Sequence, residues 1–101
     1  MALPVRWLKE AESELDDIWL HISQDSPQNA AEIVVRLVQA AADLRQYPYC
    51  GHVVEEFDRE EIREYPVWPF RLVYRVTQES VTILSIVHGA QQMPRDVSQR
   101  D

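Results

Sequence analysis

Three arginines and one histidine are the residues of this chain whose types and spacing could do chemistry. Arg63 lies in an extended segment, Arg71 and Arg75 alternate with apolar residues downstream of it, and His88 ends an apolar run. Guanidinium groups can stabilise negative charge and an imidazole can transfer protons, which is the chemistry that these side chains could supply. The competing interpretation is structural, with arginines that pair with nearby acids and a histidine bonded to backbone.

The rest of the composition weighs against a nucleic-acid enzyme. The chain has a net charge of −7, its single lysine is Lys9, and six acids crowd residues 55 to 64. A negative chain lacks the counterion-releasing surface that holds nucleic acid, so we expect no stable binding of it. The sequence therefore favours a binding protein without catalytic residues.

The segment 70–76 predicts the central strand on which those residues lie. Its apolar and basic residues alternate with period two, which puts them on opposite faces of a sheet. The apolar run 81–87 predicts an antiparallel partner, the segment 62–65 a third strand, and residues 52–54 a short fourth. One face of this meander should pack on the core, while Arg71 and Arg75 face away from it.

Two amphipathic helices precede the meander. Apolar residues recur at steps of three and four between residues 8 and 22, and again between residues 30 and 44, after the helix-start signal Ser26-Pro27. Residues 5–7 can form a strand before them. The sequence thus predicts an α+β fold, with an N-terminal strand and an antiparallel helical hairpin packed on one face of a small antiparallel β-sheet, the other face staying partly open.

The length and composition predict one domain over residues 1–101, with a flexible tail over 95–101. No apolar run approaches the roughly 20 residues that cross a bilayer, and no export signal begins the chain, so we expect a cytoplasmic protein. Its one cysteine, Cys50, has no partner for a disulfide or a metal cluster. We predict neither a metal nor a cofactor.

In order and spacing, four segments resemble the RelE/ParE superfamily of bacterial type II toxins, and its ParE-like branch in particular. They are the first-helix pattern from Ala11 to Ile18, the Ser26-Pro27 helix with its stop at Tyr47-Pro48 and Gly51, the Ile62-Arg63-Glu64 and Phe70–Val76 strands, and Ile86-Val87-His88-Gly89-Ala90 with Pro94. One departure is at Gln91, where many relatives carry an arginine. The resemblance implies this fold over nearly the whole chain.

The resemblance also implies a toxin that inhibits DNA gyrase and is neutralised by a cognate, ParD-like antitoxin in a hetero-oligomer. The RelE-like alternative that the resemblance implies is a ribosome-dependent mRNA endonuclease. It would cleave RNA through a ribose 2′-hydroxyl with Arg63, Arg71, Arg75 and His88 as its site. A third possibility is a homologue that has lost toxicity and serves as an antitoxin-binding or regulatory module. The three predict different phenotypes in a growing bacterium.

Two surfaces are predicted to bind partners. Apolar residues on the second helix extend beyond one narrow stripe, so an exposed side should accept an antitoxin helix. The antitoxin surface is predicted to comprise Val34, Val35, Val38, Arg71 and Arg75. Trp68 lies between two prolines in a turn, where an exposed aromatic would anchor a partner, although packing in the core is the default for such a residue. Trp68, His88 and Gln91 are the predicted contacts to the target.

Overall fold

The computed structural model describes residues 2–100, which form two helices and a five-stranded sheet. In chain order the elements are β1 (Val5–Trp7), α1 (Lys9–Ser23), α2 (Pro27–Asp43), β2 (His52–Val53), β3 (Ile62–Val67), β4 (Phe70–Val76) and β5 (Val81–His88), followed by a 3-10 helix (Arg95–Gln99). Every helix and strand that the sequence predicts is present, and the α+β fold is confirmed.

The sheet has the order β1-β5-β4-β3-β2. Strands β2 to β5 pair antiparallel, whereas β1 pairs parallel to β5, with Val5 opposite Val81. The sheet is therefore mixed, and the prediction of an antiparallel sheet was wrong at β1. The physical reason is that the helical hairpin carries the chain from β1 back across the sheet, which allows a parallel return.

The helices cover one face of the sheet. Ser26 begins α2 by accepting a hydrogen bond from the Asn29 backbone N–H at 3.1 Å, as expected of a serine N-cap. Side chains from both helices then pack with those of β3, β4 and β5 in the larger of two apolar clusters: Ala11, Leu37, Ala41, Leu44, Val67, Leu72, Tyr74, Val76, Val81, Ile83 and Ile86. The apolar side chains predicted for one face of β4 all contact this helix-side cluster, Phe70 from its partly buried margin.

The second face of the sheet is covered, contrary to the sequence prediction. The loop after β2 and the segment from Met93 to Arg100 lie on it, and they complete a second apolar cluster: Leu8, Val54, Ile62, Val73, Leu84, Val87, Met93 and Val97. The predicted flexible tail is instead a 3-10 helix over residues 95–99 whose Val97 is fully buried. Residue 101 lies outside the described residues. Burial of Met93 and Val97 is what holds this segment in place.

Candidate binding surfaces

Arg71 is held within the second face of the sheet. Its Nη1 lies 3.2 Å from Glu64 Oε1, its Nη2 donates to the Gln91 carbonyl oxygen at 2.8 Å, and its side chain is 19% exposed. Its buried Nε has no hydrogen-bond partner among residues 2–100. Two of the five N–H donors of this guanidinium are therefore bonded inside the chain, to Glu64 and Gln91.

Arg75 and Arg63 are also engaged by the chain itself. Arg75 Nη2 donates to the Arg100 carbonyl oxygen at 2.6 Å, which ties β4 to the end of the 3-10 segment. Arg63 Nη1 donates to the Gly51 carbonyl oxygen at 2.9 Å, and its guanidinium lies over the Tyr49 ring at 4.9 Å from the centroid. Both arginines thus stabilise connections between strands and the segments beside them.

The structure does not bring the four candidate nuclease residues together. Cross-strand pairs share a face, so Arg63 lies on the helix-covered face with its partner Tyr74, while Arg71 and Arg75 lie on the second face. His88 pairs with Phe70 and meets its ring edge-on at 5.6 Å. Its Nδ1 accepts a hydrogen bond from the Ala90 backbone N–H at 3.1 Å. No shared point is available at which these residues could hold one phosphate.

The predicted target contacts do lie at one end of the sheet. Trp68 occupies the turn between β3 and β4 and is 72% exposed. The loop after β5 runs against it, because Gly89 donates to the Pro69 carbonyl oxygen at 2.7 Å and a Cβ on Gly89 would lie 3.2 Å from the Trp68 ring. The Gln91 side chain accepts from the His88 backbone N–H at 3.4 Å. Trp68, His88 and Gln91 therefore form one exposed sheet tip.

The predicted antitoxin valines lie on the outer side of α2. Val35 and Val38 are 65% and 46% exposed, while Val34 is half-buried. A groove runs along each side of α2. The larger, of about 760 Å³, separates α2 from β3 and is lined by Val35, Leu44, Tyr47, Tyr65 and Val67 among others. The smaller, of about 430 Å³, separates α2 from β1 and includes Val38. The two valines thus form a ridge between two apolar grooves.

Two polar clusters were missed by the sequence reasoning. Glu14 Oε1 accepts from Ser85 Oγ at 2.8 Å and from the Ile86 backbone N–H at 3.0 Å, while Glu14 Oε2 lies 3.0 Å from Arg100 Nη1. Arg100 Nη1 also donates to the Leu84 carbonyl oxygen at 2.9 Å. We call Glu14 and Arg100 the edge lock. It bonds backbone groups of β5 beyond Ile83, where β1 no longer pairs with this strand.

The second missed cluster joins Tyr74 to Gly51. The Gly51 backbone N–H donates to the Tyr74 hydroxyl at 3.0 Å, and a Cβ on Gly51 would lie 2.5 Å from both that hydroxyl and the Glu64 carbonyl oxygen. Burial raises the pKa of Tyr74 to about 12, although the Gly51 hydrogen bond acts in the opposite direction. The predicted helix stop at Gly51 is one signal for this contact, since only glycine fits there.

In the described part of the chain, no group of three or more His, Cys, Asp or Glu side chains could hold a metal ion. None of the helices between residues 2 and 100 is long and apolar enough to cross a membrane. The α+β domain thus presents arginines bonded within the chain, an exposed aromatic tip and two apolar grooves beside α2.

Comparisons with known proteins identify the family. Residues 5–93 match the model of the family described as the ParE toxin of the type II toxin-antitoxin system parDE, and the chain belongs to that family. It is 32% identical over 91 residues to Y4kP of Sinorhizobium fredii, a protein provisionally named as a toxin. The aligned region covers 90% of this chain and 93% of that protein.

A solved structure shares the fold. A chain of the chromosomal ParDE TA system from P. aeruginosa superposes with a TM-score of 0.69 and 24% identity, covering 86% of this chain and 96% of that one. The toxin family and the α+β fold predicted from the sequence are thereby confirmed.

Proposed function

We propose that this toxin-family chain inhibits DNA gyrase by binding it, without catalysis of its own, and that a cognate antitoxin neutralises it. The observation that carries the proposal is the division of Arg63, Arg71, Arg75 and His88 between two faces of the sheet, with the arginines engaged by the chain itself. RNA cleavage requires such groups to converge on one phosphate. Under this proposal the chain acts in the cytoplasm, where gyrase works.

The sheet tip is the proposed gyrase contact. A largely exposed tryptophan supported from behind by a backbone turn is a rigid aromatic anchor of the kind that dominates protein interfaces. His88 and Gln91 border the same end of the sheet and can supply hydrogen bonds around that anchor. None of the three tip residues lines either groove beside α2, so the target and antitoxin surfaces need not be the same.

The ridge of Val35 and Val38 is the proposed antitoxin contact, with Val34 at its margin. An amphipathic helix laid along α2 would bury these side chains and fill the larger groove. Arg71 and Arg75 remain part of the proposal. Because both are already bonded within the chain, exchanging those bonds for antitoxin acids gains little, and the apolar contact should dominate the affinity.

Expressing the chain alone in a bacterium tests the target. Gyrase inhibition predicts filamented cells and a DNA-damage response while translation continues, together with loss of supercoiling by purified gyrase. Trp68→Ala should abolish both effects, whereas Leu20→Ala, which shortens another exposed apolar side chain, should leave them intact. A translation block within minutes, with messages cut at the ribosome, would establish the nuclease alternative instead. Normal growth of cells making the folded chain would favour the non-toxic homologue.

Salt dependence tests the antitoxin contact. We expect Val35→Glu or Val38→Glu to weaken the complex by tenfold or more, since each places a charge in an apolar contact. Arg75→Ala should change it far less. Isothermal titration at low and high salt measures both effects. Dissociation at moderate salt, with the glutamate variants still binding, would show that the interface is electrostatic.

A further inference from the structure

The chain after β5 forms a tight turn that is bonded to the loop beside it. The Gln91 backbone N–H donates to the His88 carbonyl oxygen at 2.9 Å, which closes a β-turn. Within that turn, the Gly89 N–H donates to the Pro69 carbonyl oxygen at 2.7 Å. These two hydrogen bonds give the turn a defined place directly against Trp68.

Arg71 bonds the same turn from the second face of the sheet. Its Nη2 donates to the Gln91 carbonyl oxygen at 2.8 Å, and its Nη1 lies 3.2 Å from Glu64 Oε1. One guanidinium on β4 thus joins the turn to β3. A planar group with donors on two sides can make both contacts at once, which the single ammonium of a lysine reproduces poorly. At 19% exposure, this side chain offers a partner little surface of its own.

Gly89 matters for the space that it leaves. No glycine between residues 2 and 100 has a positive φ, so the backbone at Gly89 does not require glycine. A Cβ there would lie 3.2 Å from Cζ3 of Trp68 and 3.0 Å from the Pro69 carbonyl oxygen, both closer than ordinary van der Waals contact. The Trp68 ring is 72% exposed, so it is the neighbour that can give way most easily. The missing side chain at Gly89 therefore sets where the indole rests.

The sheet tip and the residues around it carry no formal charge. Residues 65–70 and 88–93 include no Asp, Glu, Lys or Arg, although 27% of the residues of the chain are charged. Such a surface gains nothing from the phosphates of DNA, because DNA binding depends on Lys and Arg contacts. It fits instead an apolar pocket of a protein, in which an indole is desolvated.

We infer that Arg71 and Gly89 are positioning residues for the target contact, and that they hold Trp68 so that its indole enters an apolar, uncharged pocket on the protein surface of gyrase. Under the proposed function, on which this inference rests, the sheet tip makes that contact. Arg71 fixes the turn, Gly89 leaves the ring its place, and Trp68 touches the target. A side chain that is already held in its bound position loses less freedom on binding.

Inhibition of supercoiling by purified gyrase tests the positioning by Gly89. Gly89→Val places a branched side chain where the ring rests, and we expect it to raise the half-inhibitory concentration by about tenfold or more. Ala90→Val is the matched control, because it introduces the same residue at the next position of the turn, which is exposed. It should change the half-inhibitory concentration by less than about threefold.

The same assay tests Arg71. In Arg71→Gln the side chain is too short to join Glu64 to the turn, so inhibition should weaken by about fivefold or more. Arg95→Gln removes the same charge at an exposed site on the second face and should inhibit like the wild type. Antitoxin affinity should stay within about threefold in every variant, since neither Arg71 nor Gly89 lines a groove beside α2.

Fluorine NMR separates a change in the position of the indole from a loss of stability. With 5-fluorotryptophan incorporated, the chain gives one resonance for each of its three tryptophans, and the one that Trp68→Phe removes belongs to Trp68. Gly89→Val and Arg71→Gln should shift that resonance and leave those of Trp7 and Trp19 in place. If Gly89→Val fails to fold, Gly89→Ala takes its place, with a smaller shift in the same resonance.

Binding to the separate components of the target tests the kind of surface. We expect the chain to bind immobilised gyrase that is free of DNA, with nearly equal affinity at low and high salt, and not to bind a DNA duplex alone. Binding to the duplex that Trp68→Ala abolishes would mean that the indole enters the base stack, which would overturn the protein pocket.

The outcomes separate this inference from the proposed function. If the wild-type chain inhibits gyrase and Trp68→Ala abolishes the inhibition, but Gly89→Val and Arg71→Gln inhibit fully, the positioning role is wrong and the gyrase proposal stands. An unmoved Trp68 resonance in both variants would lead to the same conclusion. If the wild-type chain does not inhibit gyrase, both proposals fail.

Discussion

On the helix-covered face of the sheet, side chains from two long helices pack directly on β4 and β5, whereas the second face is covered by two short irregular segments. The first face needs no charged residue within its cluster. The second combines a smaller apolar cluster with arginine contacts to carbonyl oxygens and carboxylates. A short segment buries too little apolar surface to hold itself, so polar bonds supply the remainder. Arg71 and Arg75, two of the candidate catalytic residues, make these polar bonds.

The largest effect should come from the helix-covered face. Leu37→Ala removes a fully buried side chain between α2 and the sheet and should cost about 2–5 kcal/mol of unfolding free energy. Val97→Ala on the second face should cost about 2 kcal/mol, since fewer methyl groups are lost. Urea denaturation measures both. A loss at Leu37 no larger than the loss at Val97 would mean that α2 packs on the sheet less tightly than the full burial of Leu37 indicates.

The edge lock should have the next largest effect. Glu14→Ala leaves the Ile86 N–H, the Ser85 hydroxyl and part of the Arg100 guanidinium without an acceptor, at a cost of about 1–2 kcal/mol. Glu12→Ala, an exposed change on the same helix, should be nearly neutral. Hydrogen exchange should also show that the 3-10 segment opens more often in Glu14→Ala. If Glu14→Ala is as stable as the wild type and its exchange is unchanged, the edge lock does not hold the 3-10 segment on the sheet.

The smallest expected effect is a change in the pH dependence of stability, through Tyr74 on the helix-covered face. The pKa of Tyr74 rises from its ordinary value of 10 to about 12 in the folded chain, so the unfolded chain loses this proton first. The stability linked to Tyr74 is therefore complete below pH 10 and declines between pH 10 and 12. Tyr74→Phe should lose about 1 kcal/mol at neutral pH and show a shallower decline above pH 10. Tyr47→Phe, an exposed control, should retain the wild-type profile.

The helix-covered face could be predicted from the sequence because the apolar residues that form it recur at regular spacings. The alternation of Phe70 to Val76 assigned one face of β4, and three- and four-residue spacing assigned the inner sides of both helices. The second face could not, because Met93 and Val97 are isolated apolar residues in a polar segment without a period of its own. Likewise, nothing local in residues 5–7 shows that β1 returns parallel to β5.

The binding surfaces, too, could be predicted from the sequence only in part. The exposure of Val35 and Val38 was predictable, since both fall outside the core stripe of α2, whereas for Trp68 the sequence favoured packing in the core. The separation of Arg63 from Arg71 and Arg75 was not, because it depends on the register between β3 and β4. The edge lock joins residues 86 positions apart, and a single sequence gives no signal for such a pair. Contacts of this kind are set by the assembled fold.

The register shift in β5 has a consequence for anyone redesigning this sheet. Ile83 pairs with Tyr74 and Ser85 pairs with Val73, so one extra residue of β5 lies between neighbouring pairs. Beyond it, Ile86 again belongs to the helix-side cluster and Val87 to the other. A binary pattern copied straight through the strand would therefore assign polar and apolar residues to the wrong sides of its last third. A redesign should therefore treat β5 as two consecutive segments, residues 81–83 and 85–88, each with its own alternation of polar and apolar positions.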